Sequence, residues 1–199
     1  MSWQEAWKEG RIPWDAGRAA PSLVELVEAA ELPTGRALVP GAGSGYDVLA
    51  MASPNRLAIG LDLAEDARER FLSLRQQKGI PSEWADMVVA DFFTWQPDEP
   101  FDIIWDYTFL CALQPEMRKP WANRVDKLLT PDGELITLIF PVFSPEENRD
   151  PLDGPPFPLT PELVQELLEP RFKPIYLEPA TTSHEGRAGK EWLGRWKRR

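Results

Sequence analysis

The residues best equipped for chemistry fall at three turns. Gly41-Ala42-Gly43-Ser44-Gly45 follows the short apolar run Arg36-Ala37-Leu38-Val39-Pro40. Glycines there permit a tight turn and let a ligand approach backbone N–H groups at a helix N-terminus. Asp62 ends the next apolar run, Leu57 to Asp62, at 62 − 41 = 21 residues further on. A carboxylate in that place accepts bonds from ribose hydroxyls. Asp91 ends a third run, Met87 to Asp91. A dinucleotide site asks for a third glycine at position 46, where Tyr46 stands, and this argues against a pyrophosphate ligand. Trp3, Trp7 and Trp14 crowd the start of the chain, and aromatic faces, Trp above all, attract cations. They also suit an N-terminal arm that packs on the body. The rest of the inventory is sparse. There is one cysteine, Cys111, and one histidine, His184. That excludes an internal disulfide framework and a multi-Cys or multi-His centre, so no metal site is expected. Cys111 is expected to be a small buried hydrophobe. His184, among Thr181, Thr182, Ser183 and Glu185, is expected to be exposed.

Alternating strands and helices must position these residues. The spacing of Leu23, Leu26, Val27 and Ala30 after Pro21 predicts a helix. Residues 36–40, 57–62, 87–91, 101–107 and 134–140 are expected strands. Residues 46–52, 64–78 and 115–129 are expected helices, the last divisible at Pro120. Thr130 to Gly133 is expected to be a turn. Residues 143–158, with Pro145, Pro151, Pro155, Pro156 and Pro158, form a proline-rich loop. Thr160-Pro161 caps a helix to Glu169, and 174–178 and 190–197 are two final strands in an antiparallel pair. The pattern predicts an α/β fold with a mostly parallel sheet and helices on both faces.

Length and charge narrow the class. The 199 residues suit one domain over 1–199. Lys and Arg number 22 against 32 Asp and Glu, a net charge of −10, which gives nucleic acid no electrostatic footprint. No run of 18 apolar residues crosses a membrane, and the first ten residues lack an apolar signal core. A cytoplasmic monomer is expected.

Three stretches carry a resemblance. They are the Trp3, Trp7, Trp14-Asp15-x-Gly17-Arg18 pattern, the segment Arg36 to Asp47, and Asp102 to Tyr107 with Pro115-Glu116-Met117-Arg118. With Asp132 to Leu135 and Leu193-Gly194-Arg195-Trp196-Lys197, they resemble the thiopurine S-methyltransferase family, nearest its thiol, halide and thiocyanate methyltransferase branch. The resemblance implies a Rossmann-like class I methyltransferase with seven strands, an antiparallel last strand and an aromatic lid over residues 1–20. It implies S-adenosylmethionine as cofactor and S-adenosylhomocysteine as product. Trp3, Trp7 and Trp14 would close over the cofactor. Gly41 would meet its methionine side, Asp62 its ribose, and Asp91 and Phe92 its adenine, with Gly43 and Leu63 also among the cofactor-binding residues. Tyr107 would lie near sulfonium and acceptor, and Phe140 in the acceptor pocket, where some halide-using relatives carry Tyr. The thiopurine branch carries Arg where this chain has Tyr107.

The expected reaction is in-line displacement onto halide, thiocyanate, hydrosulfide or a small thiol. Halide, thiocyanate and hydrosulfide are ionised or nearly so, and the absence of a His–carboxylate pair agrees with a site that needs no general base for them. Tyr107 or backbone N–H groups would hold the anion, and Asp106 would repel it if it faced the site. Three alternatives stay open: a methyltransferase for larger thiols or thiopurines, a silent adenosyl-binding protein, and a nicotinamide-dependent oxidoreductase.

Overall fold

A computed structural model describes residues 3–147 and 149–199. Met1 and Ser2 of the expected lid and Asn148 of the proline-rich loop lie outside the described residues. The chain forms two compact units, Met1–Glu99 and Pro100–Arg199.

The first unit opens with α1 (Trp3–Lys8) and α2 (Pro21–Glu28), followed by β1 (Gly35–Pro40), α3 (Tyr46–Met51), β2 (Arg56–Asp62), α4 (Glu65–Gln77) and β3 (Ala85–Val89). Its strands are parallel in the order β3-β2-β1, with Pro40 opposite Leu61 and Asp62 opposite Val89. Near-continuous apolar strands are what a sheet buried on both faces requires. Leu38, Ala58 and Leu61 are accordingly buried, as are Ala67 and Phe71 of α4. Glu65 and Asp66 in the first turn of α4 complement its dipole. The register brings the glycine turn and Asp62 to the carboxyl edge of this sheet, and Asp91 follows β3 by two residues.

The second unit holds β4 (Phe101–Tyr107), α5 (Arg118–Leu128), β5 (Leu129–Ile139), α6 (Pro161–Leu168), β6 (Phe172–Pro179) and β7 (Trp192–Arg198). The order is β4-β5-β7-β6, with β4 and β5 parallel and β7 antiparallel to both its neighbours. Trp105, Trp121 and Trp196 are fully buried. Seven strands in all, mostly parallel with an antiparallel last one, match the expected fold class. The expected turn at Thr130 to Gly133 falls inside β5 as a break in register: Leu129 lies opposite Phe101, and the next partners are Glu134 and Ile103. Pro115 to Met117 form a 3-10 turn ahead of α5, so the expected helix divides before Pro120. Thr160 caps α6, its hydroxyl accepting from the Leu163 N–H at 3.1 Å. β6, outermost in this unit, carries Pro174 and Pro179, a register shift between Pro174 and Tyr176, and exposed Ile175 and Tyr176.

Candidate active site

In the first unit the glycine turn bends through left-handed backbone, with φ of 59° at Gly41, 54° at Gly43 and 77° at Gly45, a region that costs any other residue strain. Gly45 has a second reason: a Cβ there would collide with the Phe71 ring. Asp62 braces the turn. Its Oδ2 accepts from the Gly43 N–H at 2.9 Å and its Oδ1 from the Ala64 N–H at 3.0 Å. Burial pushes the Asp62 carboxyl up, and the backbone bonds from Ala64 and Gly43 oppose that.

The aromatic arm packs on the same turn. Trp7 is buried against Ala64 and Ala67, with Ile12 and Trp14 beside it. The ring centroids of Trp3 and Trp14 are 5.1 Å apart and those of Trp7 and Trp14 are 6.4 Å apart, both edge to face. A Cβ on Gly43 would come 3.8 Å from the Trp7 ring, so the indole faces the turn. Asp15, absent from the expected site, ties the arm down. It accepts from the Ser44 hydroxyl and from the Gly17 N–H, the latter at 2.7 Å, and its carboxylate lies 3.7 Å from the Arg70 guanidinium. The Trp14-Asp15-x-Gly17 pattern was the signal that could have found it. Leu63 is 43% exposed beside Asp62. Asp91 is exposed and accepts the Phe93 N–H at 2.7 Å, while Phe92 is buried.

The second unit gathers a different cluster. Tyr107 ends β4 and is buried; its ring lies 6.4 Å from Phe140 and stacks on His184 at 6.2 Å. His184 is therefore only 5% exposed, and the expectation of an exposed histidine fails because the polar loop folds its ring onto an aromatic face. The Arg187 guanidinium lies 5.3 Å from the Tyr107 ring centre and 4.9 Å from that of Phe140. Arg187 also donates to the Tyr107 hydroxyl oxygen, and that hydroxyl donates to Glu191 Oε1 at 2.5 Å. Arginine has no acceptor, so the Tyr107 proton belongs to the Glu191 bond. Burial and Glu191 push the Tyr107 hydroxyl well above its ordinary range, and Arg187 opposes them. The Tyr107 proton is thus committed to Glu191, one lone pair of its oxygen stays open beyond the Arg187 bond, and the Arg187 guanidinium is the cation of this cluster. Thr108, next in the chain, is β-branched yet has φ 62°, with its hydroxyl donating to the Tyr107 carbonyl at 2.6 Å; such strain gathers at functional sites.

Asp106 points elsewhere. Its carboxylate is buried and accepts from the Leu110 N–H at 3.0 Å and the Trp121 indole at 2.8 Å. Cys111 is buried, and burial followed by Asp106 pushes its thiol up to about 12, a structural cysteine rather than a nucleophile. No group of three or more metal-ligating side chains occurs among the described residues. Arg187 and Glu191 were invisible in the sequence because they lie in an aperiodic polar loop, and their partner Tyr107 is 80 and 84 residues away.

The family model described as Thiopurine S-methyltransferase (TPMT) matches residues 1–196. "Thiocyanate methyltransferase 1" of Brassica oleracea is 45% identical over 197 residues, 98% of this chain and 84% of that protein. "Probable thiol methyltransferase 2" of Arabidopsis thaliana is 44% identical over 198 residues, with the same two coverages of 98% and 84%. Among solved structures, the Burkholderia thailandensis 1,6-didemethyltoxoflavin-N1-methyltransferase has TM-score 0.70 at 23% identity, covering 98% of this chain and 84% of its own. That likeness establishes the fold.

Proposed function

The chain belongs to the thiopurine S-methyltransferase family, and from that premise we propose that it transfers a methyl group from S-adenosylmethionine to a small soft nucleophile, thiocyanate first. Hydrosulfide, small thiols and halides fall in the same class. S-adenosylmethionine supplies an electrophilic methyl group on a sulfonium, and S-adenosylhomocysteine is the product. The first unit's residues fit that group. The turn holding Gly41 and Gly43 lets a ligand come close to the backbone, and the Trp7 indole facing Gly43 suits a sulfonium cation. Asp62 keeps acceptor capacity beyond its two backbone bonds for ribose hydroxyls, and exposed Leu63 supplies an apolar face. Trp3 and Trp14 would complete the lid, and Asp91 and Phe92 would meet adenine.

One observation carries the acceptor class: the Arg187 cation framed by the rings of Tyr107 and Phe140. A cation edged by polarisable faces suits a weakly hydrated anion. Thiocyanate and halide are ionised already, so the chain's work on them is orientation and exclusion of water. Phe140 keeps the pocket apolar. A monomer in the cytoplasm, with no nucleic-acid partner, belongs to the same proposal; the net charge of −10 supports the last part. No helix among the described residues is long and apolar enough to cross a membrane.

The test is turnover with S-adenosylmethionine and thiocyanate, iodide, hydrosulfide or a thiopurine, read as S-adenosylhomocysteine plus methylated product. Thiocyanate is expected to turn over, and Arg187→Met to raise its KM about tenfold or more, because a hydrogen bond to a charged group contributes about 1.5–3 kcal/mol. Turnover confined to the thiopurine would overturn the proposal.

A further inference from the structure

Glu191 has no part in the methylation of a pre-formed anion, yet its burial demands a role. It is 1% exposed, its Oε1 takes the Tyr107 proton, and its Oε2 has no hydrogen-bond partner among the described residues. A carboxylate oxygen buried without a partner is costly. Arg187 donates to Tyr107, and Tyr107 to Glu191, so the three form a chain whose proton runs toward the carboxylate. The middle member of that chain, the Tyr107 hydroxyl oxygen, has committed its proton to Glu191 and keeps one lone pair beyond the Arg187 bond.

We propose that Glu191, acting through the Tyr107 hydroxyl, receives the proton of a thiol acceptor, so that the enzyme handles protonated thiols as well as anions that carry no proton. The inference rests on the reading above that Tyr107 meets the acceptor. The thiol proton passes to the Tyr107 oxygen while the Tyr107 proton passes to Glu191 Oε1. The thiol sulfur's electron pair forms the new bond to the methyl carbon. The sulfonium carbon–sulfur bond breaks, and its pair stays on the sulfur of S-adenosylhomocysteine. Products are a methyl thioether, S-adenosylhomocysteine and neutral Glu191, which returns its proton to water through Tyr107. Arg187 stabilises negative charge on the Tyr107 oxygen during the exchange. Other groups that face this chain include His184, stacked on Tyr107, the rings of Phe140 and Trp105, and the Cys111 thiol, whose electrostatics Arg187 reaches.

The experiment compares kcat/KM for thiocyanate and for an aliphatic thiol from pH 6 to 8, in the unmodified protein and in Glu191→Gln. Such a thiol ionises near pH 8.5 or above. With the relay, the unmodified protein keeps a nearly level thiol profile. In Glu191→Gln only the ionised fraction reacts, so the thiol profile rises about tenfold per pH unit. The thiol-to-thiocyanate ratio also falls about 10²-fold or more, the usual contribution of a positioned base. A structural role would lower both substrates together and leave the slopes alone. If Glu191→Gln does not fold, Tyr107→Phe breaks the same relay and is expected to show the same slope. A tenfold-per-unit rise in the unmodified protein overturns the inference, as does a level thiol profile in Glu191→Gln, which would move proton acceptance to His184. Failure of the unmodified protein on thiocyanate would instead overturn the functional reading beneath it.

Discussion

Asp62 braces the glycine turn, and the proposed function gives the same carboxylate a second partner in ribose. Two of its lone pairs already go to the Gly43 and Ala64 N–H groups, and the remaining ones are assigned above to ribose. Asp62→Ala is therefore expected to weaken cofactor binding about 10- to 100-fold, the equivalent of a charge-assisted bond of about 1.5–3 kcal/mol. It should also lower the melting temperature, because two backbone donors lose their partner. Calorimetry that finds cofactor affinity unchanged would remove Asp62 from the site. This residue was legible in the sequence because its context is local: apolar run, glycine turn, apolar run, acid. Glu191 was not, since nothing nearby in the chain announces a partner 84 residues upstream. His184 misled for the same reason. Its polar neighbours describe the loop's composition, whereas its burial depends on the distant ring of Tyr107.

At the scale of elements, α1 has only six residues, too few to be helical in isolation. Its order comes from Trp7 packing on Ala64 and Ala67 and from the downstream tie at Asp15. Packing arm and lid are thus compatible readings of one segment. Deleting residues 1–9 is expected to cost cofactor affinity about tenfold or more while unfolding stays cooperative, because Asp15 and the sheet remain. Calorimetry and thermal melts check this; intact affinity and turnover would end the lid role. Strands and long helices were legible through their apolar runs. The break at Thr130 to Gly133 was legible as a turn by its residues, but not as an excursion within one strand, since pairing on either side of it is decided by β4.

At the scale of the whole molecule, Asp106 makes global stability depend on pH. Burial holds its carboxyl at about 6 against an ordinary 3.8. The folded chain therefore binds that proton more tightly than the unfolded chain. Its contribution is fully present below about pH 4, is lost as pH rises to about 6, and is constant above. That difference in proton affinity corresponds to about 3 kcal/mol. Denaturant unfolding at pH 4.5 and pH 7 is expected to show Asp106→Asn losing less stability over that interval than the unmodified protein. The variant also carries a pH-independent loss of about 1–3 kcal/mol from setting an amide N–H against a donor. Equal losses in both proteins would refute the assignment.

The outer strand β6 has a colloidal consequence. Exposed Ile175 and Tyr176 on an open edge would ordinarily template another chain. Pro174 and Pro179 supply no N–H, and the register shift between Pro174 and Tyr176 bends the edge away from flatness. Protection against edge-to-edge aggregation is thus written into the backbone rather than into net charge, and it persists at high salt, where charge repulsion is screened.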